Sequence, residues 1–393
     1  MQVIDRIKGF HDELTEWRRD IHAHPEIGFE EHRTADLVAE KLTAFGCEVV
    51  RGVGKTGVVG TLRMGDGKRT IGLRADMDAL PMQEVNEFGH RSQNPGRMHA
   101  CGHDGHSTML LGAARYLAET RNFDGTVHFI FQPAEEGLGG AKAMLADGLF
   151  DRFPCDVVFG MHNRPGLPVG QFCIRPGAMM AGGAFFDITI NGCGGHGARP
   201  EISVDPVLTA CHIGAALQSI VSRNVKPVDT AVVSVTRIDG GDAYNVIPQQ
   251  AFLRGTARAF TRETMALIED NMRRLATGIA AGFGATAELD FRVLFDPLSN
   301  NADETAAIAD VAAELVGEAN VDRNHDLVMG SEDFSFMLGQ RPGAFINIGN
   351  GKRPGCELHN PAYDFNDEIL PLGASLWARL VERKLPLLNS LPD

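Results

Sequence analysis

The chain has 393 residues, 44% of them hydrophobic and 22% charged, with a formal net charge of −14. That length exceeds what a single hydrophobic core usually holds, so two domains are expected, and the composition is that of an ordinary globular protein. An acidic balance with no basic block excludes a nucleic-acid partner, because affinity for a phosphate backbone comes from clustered Lys and Arg.

From the N-terminus, Val3, Ile7, Phe10, Leu14, Trp17 and Ile21 alternate spacings of four and three and predict one amphipathic helix ending near His24-Pro25. This opening lacks the apolar core of a secretory signal. No apolar run approaches the roughly 18 residues needed to span a bilayer, so no membrane partner is expected. A second helix carries Thr34, Leu37, Val38, Leu42 and Phe45 on one side, with Gly46 as its stop. Strand-like runs follow at Val58 to Leu62 and Ile71 to Arg74, then a helix from Ser107 to Leu117. A strand from Val127 to Phe131, a helix from Ala141 to Leu145 and a strand from Val157 to Phe159 continue the alternation. Such alternation, with near-continuously apolar strands, predicts an α/β domain whose mainly parallel sheet is covered by helices on both faces. In these sheets ligands collect where loops leave the carboxyl ends of strands. Asp76, Asp78, Glu135, Glu136 and His162 all fall just after predicted strands, and the Cys101/His103 loop precedes a helix.

Between 184 and 295 the pattern becomes strand, helix, strand, strand, helix, strand, the order of a ferredoxin-like βαββαβ sandwich. A later strand, Ala344 to Ile348, and the His359 loop must return to the first domain. The expected division is therefore 1–183 plus 296–393 as one domain, with 184–295 inserted into it. The seven cysteines, at 47, 101, 155, 173, 193, 211 and 356, are odd in number and scattered, which is no disulfide framework. Six of them read as small, mostly buried hydrophobes in a reducing compartment, so the cytoplasm is the expected location.

Met98-His99-Ala100-Cys101-Gly102-His103-Asp104-Gly105-His106 puts a thiol and three imidazoles into nine residues. Cys101-Gly102-His103 alone is a common tripeptide, but the helix after it brings backbone N–H groups that favour thiolate over thiol. His99 and His106 are read as orienting or capping groups. Glu135-Glu136 could be a solvated acidic corner. Their place straight after an apolar strand and Pro133 instead allows one carboxylate to face a metal and the other a bound water. Asp76 and Asp78 share a strand face and are either an Asx-type turn or acceptors that fix the tautomer of a ligand imidazole. His162 and His359, taken singly, would be structural histidines; their company raises them to candidate ligands. His196, in the glycine-rich turn Gly192 to Gly197, is either part of a flexible connector or a donor offered to a substrate carbonyl. Asn245 and Arg258 follow the same logic, since an arginine can clasp a carboxylate through two hydrogen bonds.

Together these residues resemble the dinuclear metallo-aminoacylase and carboxypeptidase family, in the branch of hippurate hydrolases and hydrolases of indoleacetyl–amino acid conjugates. The similar segments span nearly the whole chain, from Trp17-Arg18-Arg19-Asp20-Ile21-His22 through Leu73-Arg74-Ala75-Asp76-Met77-Asp78 and Phe131-Gln132-Pro133-Ala134-Glu135-Glu136 to Asn245-Val246-Ile247-Pro248, Gly330-Ser331-Glu332-Asp333-Phe334 and Leu358-His359-Asn360. The resemblance implies two divalent metal ions per subunit; the thiolate and imidazoles suit zinc, nickel or cobalt, and the carboxylate also tolerates manganese. It implies that Cys101 bridges them, with Glu136 and His359 completing one site and His103 and His162 the other. Glu135 would be the general base, and an aspartate of the Asp76/Asp78 pair would orient an imidazole ligand. His196 would reach the carbonyl oxygen from the neighbouring subunit of a homodimer, while Asn245, Arg258 and the Gly330 backbone would hold the amino-acid end. The inserted domain would pair subunits and cover the site. Two departures, Cys193 with Glu201 in the glycine-rich turn and Asn163-Arg164 after His162, bear on acyl-group preference.

The expected function is metal-dependent hydrolysis of an N-acyl amino acid to a carboxylic acid and a free amino acid, with Glu135 activating a metal-bridging water. The alternatives are a dipeptidase or carboxypeptidase of the same family, a thiol hydrolase built on Cys101, and a metal-stabilised binding protein without activity.

Overall fold

Strands that are apolar at nearly every position are stable only with both faces covered. In the computed structural model, which describes residues 1–351 and 357–387, these strands form the middle of an eight-stranded sheet. Its first five members are β1 (Glu48–Val53), β2 (Gly57–Met64), β3 (Thr70–Asp76), β4 (Gly125–Gln132) and β5 (Val157–Pro165). They lie in the order β1, β2, β4, β3, β5, followed by Gly343–Gly351, Phe172–Cys173 and Val321–Asp322. β4, β3, β5 and Gly343–Gly351 run parallel, while β1 and β2 join antiparallel at one margin. The register sets Leu73 opposite both Phe129 and Phe159, and Phe159 opposite Ala344. Alternate residues therefore line one continuous core, containing Leu73, Phe129, Phe131, Phe159, Met161 and Ile346. Each such side chain contributes about 1.5–3 kcal/mol when fully buried.

Helices α1 (Asp5–Lys8), α2 (His11–Ala23), α3 (His32–Ala44), α4 (His103–Thr120) and α5 (Gly140–Ala146) pack around this sheet. The apolar stripe at the N-terminus predicts one helix, but the chain forms two, interrupted at Gly9 and Phe10. Ile7, Phe10 and Leu14 stay buried through the break, so the periodicity does not register it. α4 begins at His103, four residues before the predicted Ser107, because its first turn is polar yet buried: His103, Asp104, His106 and Ser107 are all interior. Helices Ala302–Val316 and Leu370–Lys384, and strand β1, have no counterpart in the sequence reading.

The chain divides into two compact units, Met1–Gly177 with Ser299–Asp326 and Asp333–Asp393, and Ala178–Leu298 with Leu327–Glu332. The sequence reading drew the second as 184–295. It takes in Leu327–Glu332 because the Ala181 amide donates to the Val328 carbonyl at 2.9 Å and the Val328 amide to Met179 at 3.0 Å. Its antiparallel sheet has the order Ala231–Asp239, Gln250–Ala259, Gly182–Asn191, Thr286–Phe295. Helices Pro206–Ser219 and Arg262–Gly282 share a core with Ala184, Phe186, Ile188 and Ile190, the buried alternate positions of one central strand. The chain order is βαββαβ with a short two-strand ladder added, Gly195–His196 against Val246–Ile247.

Among the described residues no helix is long and apolar enough to cross a membrane. The six described cysteines are all free; Cys47, Cys101, Cys155 and Cys173 are buried, whereas Cys193 and Cys211 are exposed and do not act as core hydrophobes, and Cys356 lies outside the described residues.

Candidate metal centre

The parallel strands β3, β4 and β5 all end on the same side of the sheet, so the residues that follow them meet. The loop entering α4 joins them there. Between Cys101 and His103 stands Gly102 at φ +93°, a left-handed conformation that favours glycine. A Cβ at this position would lie 2.3 Å from Asn163 Oδ1 and 2.8 Å from the Tyr363 hydroxyl, so no larger residue fits. Of the five non-glycine residues with left-handed backbone among the described residues, two belong to this site: Ala134, just before the glutamate pair, at φ +53°, and His359 at φ +62°. Such strain costs on the order of 1–3 kcal/mol per residue and persists only where surrounding bonds impose it. The Ala134 amide donates to Glu31 Oε1 at 2.8 Å, and the His359 amide to the Ala100 carbonyl at 2.8 Å.

Cys101, His103 and His162 present one ligand atom each, all within 4.8 Å of one another, and Cys101, Glu136 and His359 do the same. Cys101 thus belongs to both groups. Its Sγ lies 3.3 Å from His162 Nε2, and His359 Nε2 lies 3.1 Å from Glu136 Oε1. Glu135, buried, shares a third group of this size with His103 and Glu136. His162 Nδ1 faces the Asn163 carbonyl at 2.7 Å, which as an acceptor puts the ring proton on Nδ1 and leaves Nε2 its lone pair.

The two aspartates after β3 divide their work. Asp78 Oδ1 meets His103 Nδ1 at 3.2 Å, and Asp78 Oδ2 accepts the Glu136 amide at 3.0 Å. Asp76 Oδ1 instead meets His106 Nδ1 at 2.6 Å. The other nitrogen of His106 accepts the Asn163 amide at 3.0 Å, and the Asn163 side chain bonds the Tyr363 hydroxyl at 2.6 Å. His106 therefore has partners on both sides. His99 is buried, and among the described residues neither of its ring nitrogens has a hydrogen-bond partner.

The electrostatics of this pocket call for cations. Burial and the nearby Glu136, Glu135 and Asp76 push the Cys101 thiol well above its ordinary range. A thiol so placed is a poor nucleophile on its own, which argues against the thiol-hydrolase reading. Burial alone would depress His103, but Asp76 and Asp78 carry it up to about 10. Burial and the adjacent His106 hold His162 well below the usual imidazole range. Among the described residues His103 Nε2 is buried with no hydrogen-bond partner, a carboxylate oxygen, Asp76 Oδ2, lying 3.8 Å away. A thiol that needs a cation to ionise, a ligand nitrogen left unmet and an excess of carboxylates fit divalent metal ions.

The remaining candidates belong to the second unit. His196 is exposed, and its Nδ1 accepts the Ala198 amide at 3.0 Å, so the neutral ring carries its proton on Nε2 as a donor. The ladder sets His196 opposite Val246, and the Gly197 amide donates to the Asn245 carbonyl at 2.7 Å, which brings His196 and Asn245 to one exposed turn. Arg258 is partly buried and its guanidinium bonds only neutral groups, the Thr256 hydroxyl and the Ala257 carbonyl at 2.9 Å. Burial lowers its pKa, and no carboxylate pairs with it among the described residues. Gly330 is exposed in the Leu327–Glu332 segment.

Sequence reasoning gave no role to Arg74, Asp333 or Tyr363, although all three are buried at this end of the sheet. Arg74 and Asp333 stand inside motifs that were singled out. A buried arginine and aspartate far apart in sequence are the signal that would have paired them.

The family profile described as peptidase family M20/M25/M40 matches residues 72–383. The chain is 45% identical over 385 residues to the hippurate hydrolase of Campylobacter jejuni, covering 98% of this chain and 100% of that one. It is 40% identical to IAA-amino acid hydrolase ILR1-like 4 of Arabidopsis thaliana, covering 96% of this chain and 86% of that one. Among solved structures, it resembles a Bacillus subtilis protein described as a dinuclear metal-binding peptidase of the M20 family, with TM-score 0.84, 36% identity and coverage of 96% and 99% of the two chains.

Proposed function

Because the chain belongs to peptidase family M20/M25/M40, we propose that it is a metal-dependent amidohydrolase that cleaves N-acyl amino acids into a carboxylic acid and a free amino acid. The observation that carries this reading is Cys101, whose sulfur falls within 4.8 Å of two different sets of ligand atoms. Cys101 would be shared by two divalent cations, with His103 and His162 on one and Glu136 and His359 on the other. The bound ions supply Lewis acidity, which acidifies water and polarises the substrate carbonyl. The thiolate and imidazoles suit zinc, nickel or cobalt, and the carboxylate admits manganese.

The chain's own groups do the rest. Asp78 holds His103 through Nδ1, which would leave Nε2 to hold a cation. Glu135, buried and unneeded as a ligand, takes a proton from the attacking water and returns it to the leaving amine. His196 donates from Nε2 to the carbonyl oxygen as negative charge develops there. Arg258, with Asn245 and the Gly330 amide, receives the substrate carboxylate. In this reading the second unit pairs two copies of the chain, and His196 serves the partner subunit. The free cysteines suit a reducing compartment, and the cytoplasm is the proposed location.

The test is to strip the protein with chelator and reload it separately with zinc, manganese, nickel and cobalt. Each form is then assayed on benzoyl-, acetyl- and indoleacetyl-amino acids and on dipeptides. Hydrolysis that vanishes on chelation and returns with two ions per chain is expected. No hydrolysis of any amide by fully loaded protein would leave a metal-stabilised binding protein instead.

A further inference from the structure

A general base is useful only if its carboxylate is held at the reacting water, yet Glu135 sits on a loop between β4 and α5. Glu31 and Asp78 hold the backbone on either side of Glu135 through the Ala134 and Glu136 amides, and the two ends of the loop are held by Asp333. Asp333 Oδ1 accepts Gln132 Nε2 at 2.6 Å, on the residue that ends β4. Asp333 Oδ2 accepts the amide of Ala141 at 2.9 Å, in the first turn of α5. The loop from Pro133 to Gly139 is thereby clasped at both ends by one carboxylate. The Asp333 amide donates to Glu135 Oε1 at 3.4 Å, so the same residue also touches the base itself.

Asp333 is fully buried, and a carboxylate in that position needs a counter-charge. Arg74, also buried, provides it. Its Nη2 donates to Asp333 Oδ1 at 3.2 Å, its Nη1 to Asp76 Oδ2 at 2.6 Å, and its Nε to Gln132 Oε1 at 2.9 Å. One guanidinium therefore binds the aspartate that supports His106 and the aspartate that clasps the Glu135 loop.

We propose that Asp333 is a positioning residue for Glu135, and that Arg74 holds Asp333 and Asp76 in one rigid unit so that base and ligand-bearing segments keep a common frame. The proposal rests on Glu135 being the base. Misplacing a reacting group by about an ångström costs up to about 100-fold in rate. Asp333→Asn keeps the shape but loses one acceptor, and should lower kcat by roughly 10- to 100-fold with KM and metal content unchanged. Combined with Glu135→Gln, it should lower kcat no further, because the group it positions is already gone. A merely structural role would multiply the two losses or change metal content, and either result would overturn the proposal, as would an unchanged kcat in Asp333→Asn alone. If Asp333→Asn does not fold, Arg74→Lys, which cannot reach all three partners at once, is read by the same double-variant comparison. Near-wild-type turnover by Glu135→Gln would overturn the base assignment as well. An inactive Glu135→Gln beside a fully active Asp333→Asn would overturn this inference alone.

Discussion

In the first unit Asp78 is buried with both oxygens engaged, one by His103 and the other by the Glu136 amide, whereas in the second unit His196 and Asn245 stand exposed on a short ladder. The two arrangements follow from what each environment charges for an unmet polar group. In the interior an unpaired donor or acceptor costs on the order of 1–3 kcal/mol, and there His103 and His162 each have one ring nitrogen held, by Asp78 and by the Asn163 carbonyl. At the surface water meets such groups, so beyond the Ala198 amide on its Nδ1 the His196 ring needs no protein partner. Arg258 is intermediate, partly buried and bonded among the described residues to neutral oxygens. In the proposed function, the contrast separates residues that would make the reactive centre from residues that would read the substrate.

Four substitutions test that separation, beginning with the deepest. Glu135→Gln should retain both metals and lose about 100- to 10,000-fold in kcat, the usual worth of a general base. Elemental analysis beside steady-state kinetics checks it, and near-wild-type turnover would remove Glu135 from the chemistry. His196→Ala should depress kcat by roughly 100- to 1,000-fold, the range of a lost oxyanion donor, again with metal content intact. If metals leave with that substitution, the division between the two units is wrong. Arg258→Ala should raise KM by about 10- to 100-fold, as expected for losing a charge-assisted hydrogen bond. A substrate with its carboxylate amidated should be insensitive to the change; equal loss on both substrates would sink the carboxylate assignment.

The fourth and smallest effect concerns the bracing itself. His22 is buried beside Asp104, Glu84 and Arg18, with the rings of His90 and His99 close by. Burial and Arg18 would lower its pKa, but Asp104 and Glu84 raise it from 6.5 to about 9. A group raised on folding adds stability that is fully present below the unfolded value of 6.5 and is lost as pH climbs through about 9. The stability gap between wild type and His22→Gln, measured by denaturant unfolding of chelated protein, should narrow between pH 6.5 and 9.5 by at most a few kcal/mol. A gap constant across that range would mean His22 is neutral.

Much of this was legible in the chain. The near-continuous apolar runs at β3, β4 and β5 announce a parallel sheet buried on both faces, and the carboxylates and histidines just after them announce where a ligand would sit. Less visible were features whose signal is an absence of pattern. The break at Gly9 leaves Ile7, Phe10 and Leu14 on the buried side and so hides inside one continuous stripe. The first turn of α4 is buried but polar, and apolar periodicity starts counting only after it. The choice between Asp76 and Asp78 was open, because two residues on one strand face are equivalent until their partners, His106 and His103, are placed.

Residue types and their order along the chain determined the class of chemistry: a thiol, imidazoles and paired carboxylates at strand ends can do little else together than hold cations and move protons. Tertiary structure alone decided which group serves which. Asn163 meets Tyr363, and Arg74 meets Asp333, across about 200 and 259 positions of sequence. A hydrogen bond depends on distance and direction in space, and only the folded sheet brings such distant donors and acceptors into range.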